Sequence, residues 1–153
     1  MNYTGRYGLE INPFIKNGKD VLVETNEYKE VKFRLNYLLQ TKGFGVLTGG
    51  AGRGKTTSVR QWANELNPAA YKVVYISLST VTVIEFYRQM ALNLGIEPYY
   101  KKVDNFRAIQ AIIEKYKREK RITPVFIFDE ANYMKSGILN DLKILFNFEM
   151  DSK

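Results

Sequence analysis

The chain has 153 residues, 45% hydrophobic and 25% charged, which is the balance of one ordinary globular domain with enough apolar material for a closed core. It contains no cysteine and no histidine. That excludes disulfide staples, thiolate or Ser-His-Asp catalysis, and metal sites built on imidazole or sulfur; any metal here is a hard ion held by oxygen. The formal net charge is +7, and the stretch Lys101–Arg121 concentrates eight basic residues against three acids. A stripe of that kind suits duplex DNA or an acidic partner, with a solvated helix face as the plainer account. No run is long and apolar enough to cross a bilayer, and Met1–Arg6 leads into no signal-peptide core, so the cytoplasm is the expected compartment.

Residues 1–25 read as an irregular arm punctuated by Gly5, Gly8, Asn12-Pro13 and Asn17-Gly18. From Asn26 to Gln40, Val31, Leu35, Leu38 and Leu39 recur at helical spacing. Gly43–Thr48 reads as a short buried strand running into a glycine-rich loop. A helix follows, with Val59, Trp62, Ala63 and Leu66 on one face, and stops before Pro68. Lys72–Leu78 is a β-branched, aromatic strand. Thr82 and Glu85 have capping-box spacing and open a helix with the stripe Ile84, Tyr87, Ala91 and Leu94, closed by Gly95. Asp104 is the expected cap of the next helix, which turns Phe106, Ile109, Ile113 and Tyr116 inward. Pro124–Phe128 is a third strand, and a last helix after Ser136 carries Ile138, Leu142, Leu145 and Phe146. Strands alternating with helices predict an α/β fold over residues 26–153, with a parallel sheet sandwiched by helices.

Gly49-x-x-x-x-Gly54-Lys55-Thr56 matches the phosphate-loop pattern, and its context of strand before and helix after fits. The chemistry needs these residue types. Several negative phosphate charges must be neutralised at close range. The loop Gly49, Gly50, Ala51, Gly52, Arg53, Gly54, Lys55, Thr56 and Thr57 turns backbone N–H groups inward, and the helix behind it adds its positive end. Lys55 reaches the β- and γ-phosphates, and the Thr56 hydroxyl is a ligand for Mg²⁺. Arg53 is left between phosphate contact and solvent.

Val125-Phe126-Ile127-Phe128-Asp129-Glu130 is an apolar strand ending in two acids, which resembles a Walker B element. Asp129 is placed to hold Mg²⁺ and Glu130 to orient or deprotonate an attacking water; adjacent side chains at a strand end diverge, so two roles are natural. Both motifs sit at the carboxyl ends of strands, where open α/β sheets bind ligands. The water-activating acid favours nucleotide hydrolysis over phosphoryl transfer to a small molecule. The N-K-x-D guanine motif and the L-S-G-G-Q signature are both absent.

Asn12-Pro13-Phe14, Gly43–Gly49, the phosphate loop, Gly95, Phe128-Asp129-Glu130-Ala131 and Leu142–Phe148 together resemble the ExeA-like AAA+ ATPases, a family that includes secretion-pathway ATPases and the ATPase subunits accompanying bacterial transposases. The resemblance implies binding and hydrolysis of ATP with Mg²⁺, self-association with ATP at subunit interfaces and, in the transposition branch, contact with duplex DNA and a transposase. It matches Lys55, Thr56, Asp129 and Glu130 to the family's catalytic positions. It offers Pro13-Phe14 a place near the nucleotide base, but a plain core anchor is the preferred reading of that pair. Asn132 departs from the Gln or His of many relatives, and Gly50 and Arg53 are unusual within the loop. The family's sensor strand, helical lid and trans-acting arginine would follow Lys153. The expectation is therefore a module incomplete at its C-terminus, whose sheet leaves an open slot beside the Walker B strand. A nucleotide-binding module without turnover, a secretion-type ATPase and a small-molecule kinase are the competing readings.

Overall fold

A computed structural model describes residues 8, 24–78, 82–119 and 121–147. Pro13, Phe14 and Lys120 lie outside the described residues. The order is α1 (Asn26–Thr41), α2 (Lys55–Glu65), β1 (Tyr71–Ser77), α3 (Val83–Asn93), α4 (Lys102–Arg118), β2 (Thr123–Asp129), a 3₁₀ turn at Ala131–Tyr133 and α5 (Ser136–Asn147). Strands β1 and β2 pair in parallel, from Tyr71 opposite Thr123 to Ser77 opposite Asp129. The crossover between them is α3 and α4.

Side chains alternate across this ribbon, so Val74, Ile76, Phe126 and Phe128 share one face. That face is the core. It meets the fully buried Phe86, Tyr87 and Met90 of α3, Ile109 of α4, and Ile138, Leu142 and Leu145 of α5. Aromatic rings set the spacing: Phe86 lies 5.6 Å from Phe128, and Phe146 lies 4.8 Å from Phe126 between ring centroids. The predicted α3 stripe is widened, with Tyr87, Ala91 and Leu94 buried as expected. Phe86 and Met90 are buried beside Tyr87 and Ala91, while Ile84 is only half-buried. The opposite face carries Tyr75, Ile127 and Asp129, all half-buried, and α2 reaches it through the side chains of Thr56 and Arg60. Helix α1 holds α2 in place: Trp62 Nε1 donates to Asn36 Oδ1 at 2.8 Å, Tyr28 donates to Glu65 at 3.0 Å, and Lys32 pairs with Glu65 at 2.5 Å.

The α3 capping box is present as the spacing predicts, with Thr82 and Glu85 bonding reciprocally. Asp104 does not cap α4. Lys101 occupies the cap position without a side-chain bond, and the neighbouring Asn105 closes the turn instead. Fully buried, Asn105 donates to the Tyr99 and Lys101 carbonyls at 2.8 and 3.0 Å and accepts from the Tyr99 N–H at 2.9 Å. The turn needs a donor and an acceptor together, which an ionised aspartate cannot supply.

The strand predicted at Gly43–Thr48 does not form. Among the described residues the sheet has two strands, and no backbone–backbone hydrogen bond starts or ends between Phe44 and Gly50. A strand exists only through a neighbour, and no described strand pairs with this segment. Side chains hold it instead. The Phe44 ring meets Phe146 edge-on at 5.7 Å, and Gly45 is pressed against α1 so closely that a Cβ there would stand 2.2 Å from a Leu38 methyl. Val46 remains 89% exposed.

Candidate functional site

The loop after this segment ends in Gly54, which adopts φ 73° and serves as the N-cap of α2 without any side-chain cap. A left-handed cap position costs a residue with a Cβ about 1 kcal/mol or more, so glycine belongs there on conformational grounds. The helix begins with no acid in its first turn, which leaves its N–H groups and positive end available to an anion. Lys55 folds back over the loop, and its Nζ donates to the Gly49 and Gly50 carbonyls at 2.8 and 2.9 Å. These exposed bonds are of the kind a phosphate oxygen can replace. Beside the loop a cleft of about 400 Å³ opens between α1 and α2, lined by Thr25, Tyr28, Val31, Leu47, Arg53 and Lys55. Arg53 is thus on a cleft wall. The Glu27 carboxyl on the same wall is held below its usual range, chiefly by its own N–H and the Thr25 hydroxyl, with a smaller pull from Arg53.

Two residues 73 positions apart meet at the end of β2. The Thr56 hydroxyl lies 3.0 and 3.2 Å from the two Asp129 carboxylate oxygens, and Asp129 Oδ1 also accepts the Glu130 N–H at 3.0 Å. Tyr75 donates its hydroxyl to Asp129 Oδ2, and Arg60 donates to the Tyr75 oxygen at 3.2 Å. Partial burial works against ionising Asp129, but the bonds from Tyr75, Thr56 and the Glu130 N–H outweigh it and hold the carboxyl below its usual range. Among the described residues no three His, Cys, Asp or Glu side chains gather into a cage of their own. The donor set, one hydroxyl and one carboxylate, fits Mg²⁺, which takes one or two protein oxygens and completes its shell with phosphate and water.

Glu130 is exposed and left-handed at φ 55°, an uncommon state for a residue with a side chain. Its carbonyl starts the 3₁₀ turn by accepting from Tyr133 at 3.0 Å. With its amide nitrogen turned towards Glu130, Asn132 donates to the Glu130 carbonyl and carboxylate, each at 3.2 Å. Asn132 was visible in the sequence only as a departure from a pattern. Tyr75 and Arg60 carried no signal there, because their convergence on Asp129 depends on strand register.

The basic stretch divides. Lys102 is drawn inward, paired with Asp141 at 2.5 Å while Tyr87 donates to the same carboxylate at 2.7 Å. Arg107, Lys115 and Arg118 stay exposed on α4, Lys115 with a long 3.9 Å pair to Glu119. Among the described residues no helix is long and apolar enough to cross a membrane.

A sequence profile of a family described as AAA domain matches residues 38–153. The General secretion pathway protein A of Aeromonas hydrophila is 29% identical over 156 residues, an alignment covering 99% of this chain and 28% of that protein. The chain thus spans little more than a quarter of that relative's length. No solved structure gives a significant match.

Proposed function

The chain belongs to the AAA domain family, and we propose that it is the nucleotide site of a cytoplasmic ATPase module, binding ATP with Mg²⁺ and hydrolysing it. The observation that carries the reading is the meeting of Thr56 and Asp129, 73 positions apart, directly behind an uncapped helix start. Nothing in the core requires that polar pair, whereas a cation shared with phosphate does.

On this reading the phosphate chain lies along Gly49–Thr57 against backbone N–H groups. Lys55 leaves the Gly49 and Gly50 carbonyls and turns its ammonium to the β- and γ-phosphates. Thr56 and Asp129 hold Mg²⁺, which when bound neutralises phosphate charge. Glu130 accepts a proton as water oxygen bonds to the γ-phosphorus and the bond to the β–γ bridging oxygen breaks, leaving ADP and inorganic phosphate. The cleft beside Tyr28, Val31 and Arg53 supplies room for the base and ribose.

Glu130→Gln should slow phosphate release by about 10²- to 10⁴-fold, the usual worth of a general base, with ATP affinity unchanged. Malachite-green phosphate assays beside a fluorescent-ATP titration read both quantities. An unsubstituted chain that binds ATP and releases no phosphate would leave a binding module without turnover.

The finer reading joins the module to a larger machine. The relative is named for general secretion; for this chain, self-association and contact with duplex DNA and a transposase are further proposals. The exposed Arg107, Lys115 and Arg118 support the DNA contact. Reversing their three charges should weaken binding to a DNA duplex and lower the slope of affinity against salt by about one for each phosphate no longer neutralised. An unchanged slope returns α4 to a solvated face.

A further inference from the structure

Tyr75 stands opposite Ile127, and Asp129 is two residues further along β2, so Tyr75 and Asp129 are diagonal neighbours on the face that Thr56 and Arg60 of α2 reach. A phenol is long enough to cross that diagonal. Arg60 sits one turn beyond Thr56 on α2, which brings the two to the same stretch of sheet. Its guanidinium lies 5.1 Å from the Tyr75 ring centroid while Nε donates to the phenol oxygen at 3.2 Å. The Tyr75 oxygen therefore accepts from a cation and directs its own proton to a carboxylate. A hydroxyl in that position is a stronger donor than one standing alone.

The bonds on Asp129 divide in an informative way. Thr56 touches both oxygens, Tyr75 holds Oδ2 and the Glu130 N–H holds Oδ1. If Thr56 turns its oxygen to a cation, one anchor remains on each carboxylate oxygen, and the plane of the group stays fixed. Without the Tyr75 hydroxyl, Asp129 would be pinned at Oδ1 alone.

We propose that Tyr75, backed by Arg60, is a positioning residue that presets the Asp129 carboxylate for the divalent cation arriving with the nucleotide. The proposal rests on the ATP–Mg²⁺ reading above. It assigns a task to a hydroxyl that packing does not explain, since a phenylalanine would fill the same space.

The test is a titration of MgCl₂ into the whole chain with a fluorescent ATP analogue, run beside the same titration in EDTA. Tyr75→Phe should raise the Mg²⁺ midpoint about tenfold, the ordinary cost of losing a partner that orients a metal ligand, with affinity in EDTA unchanged. In an Asp129→Asn background the same substitution should move nothing further. Arg60→Gln should shift the midpoint in the same direction by a smaller factor. A Tyr75→Phe midpoint equal to that of the unsubstituted chain overturns the proposal, and so does an equal loss with and without Mg²⁺, which is what a packing role alone would give. Should Tyr75→Phe lose its cooperative melt, the exposed Arg60→Gln decides: an unmoved midpoint overturns the proposal. An unsubstituted chain with no Mg²⁺ dependence at all overturns the ATP–Mg²⁺ reading and this proposal together.

Discussion

Lys55→Ala should abolish nearly all of the thermal shift that Mg²⁺-ATP gives the unsubstituted chain. A ligand that binds only the folded state stabilises it by about 2.7 kcal/mol at a hundredfold excess over its dissociation constant. Losing the charge-assisted bonds of one ammonium to phosphate costs roughly a hundredfold in affinity. At the same ligand concentration the variant then retains about 0.4 kcal/mol. The substitution is also clean. Among the described residues Lys55 donates only to the exposed Gly49 and Gly50 carbonyls, which water can take over, so unliganded stability should change by less than about 0.5 kcal/mol. Differential scanning fluorimetry with and without Mg²⁺-ATP reads both terms. A variant that still shifts like the parent would remove the phosphate loop from the proposed site.

Phe86→Ala should destabilise the fold by about 3–5 kcal/mol, the range for a fully buried aromatic ring. Phe86 has no exposure, meets Tyr87 edge-on at 5.4 Å and lies over Phe128 at 5.6 Å. It therefore joins α3 to the strand that ends in Asp129. Stabilities of small domains are about 5–15 kcal/mol, so this single cavity takes a large share. In urea the midpoint should fall with the slope unchanged. A loss below about 1 kcal/mol would mean that α3 is not closed over β2 in solution.

The two substitutions separate what the sequence made legible from what it did not. The phosphate-loop pattern and the Asp129-Glu130 pair are local motifs in the sequence, and the structure brings Thr56 of the first to Asp129 of the second. The helices and the strands at Tyr71–Ser77 and Thr123–Asp129 were legible from periodicity and composition. Phe86 and Met90 were missed because α3 is gripped by both the sheet and α4, which buries a wider arc than one stripe. Asp104 is a residue type expected at a cap, but the buried turn calls for two-way hydrogen bonding, which Asn105 supplies. Phe44–Thr48 has the composition of a strand, but composition says nothing about whether a neighbour is there. The Arg60–Tyr75–Asp129 chain depends on register between strands more than fifty positions apart, to which no local pattern points.

The side-chain tethering of Phe44–Gly50 has a consequence for how the site opens. The amide hydrogens of this segment have no carbonyl partners among the described residues, whereas those shared between β1 and β2 are locked in a ladder. Solvent deuterium should therefore enter Phe44–Gly50 through small local fluctuations and reach the β1–β2 ladder only through much larger openings. The phosphate loop and the acid pair would then belong to different cooperative units, joined at Thr56–Asp129 and at Phe44–Phe146. A nucleotide that bridges the two would slow exchange mainly on the loop side, so that binding and local folding of this segment become a single event.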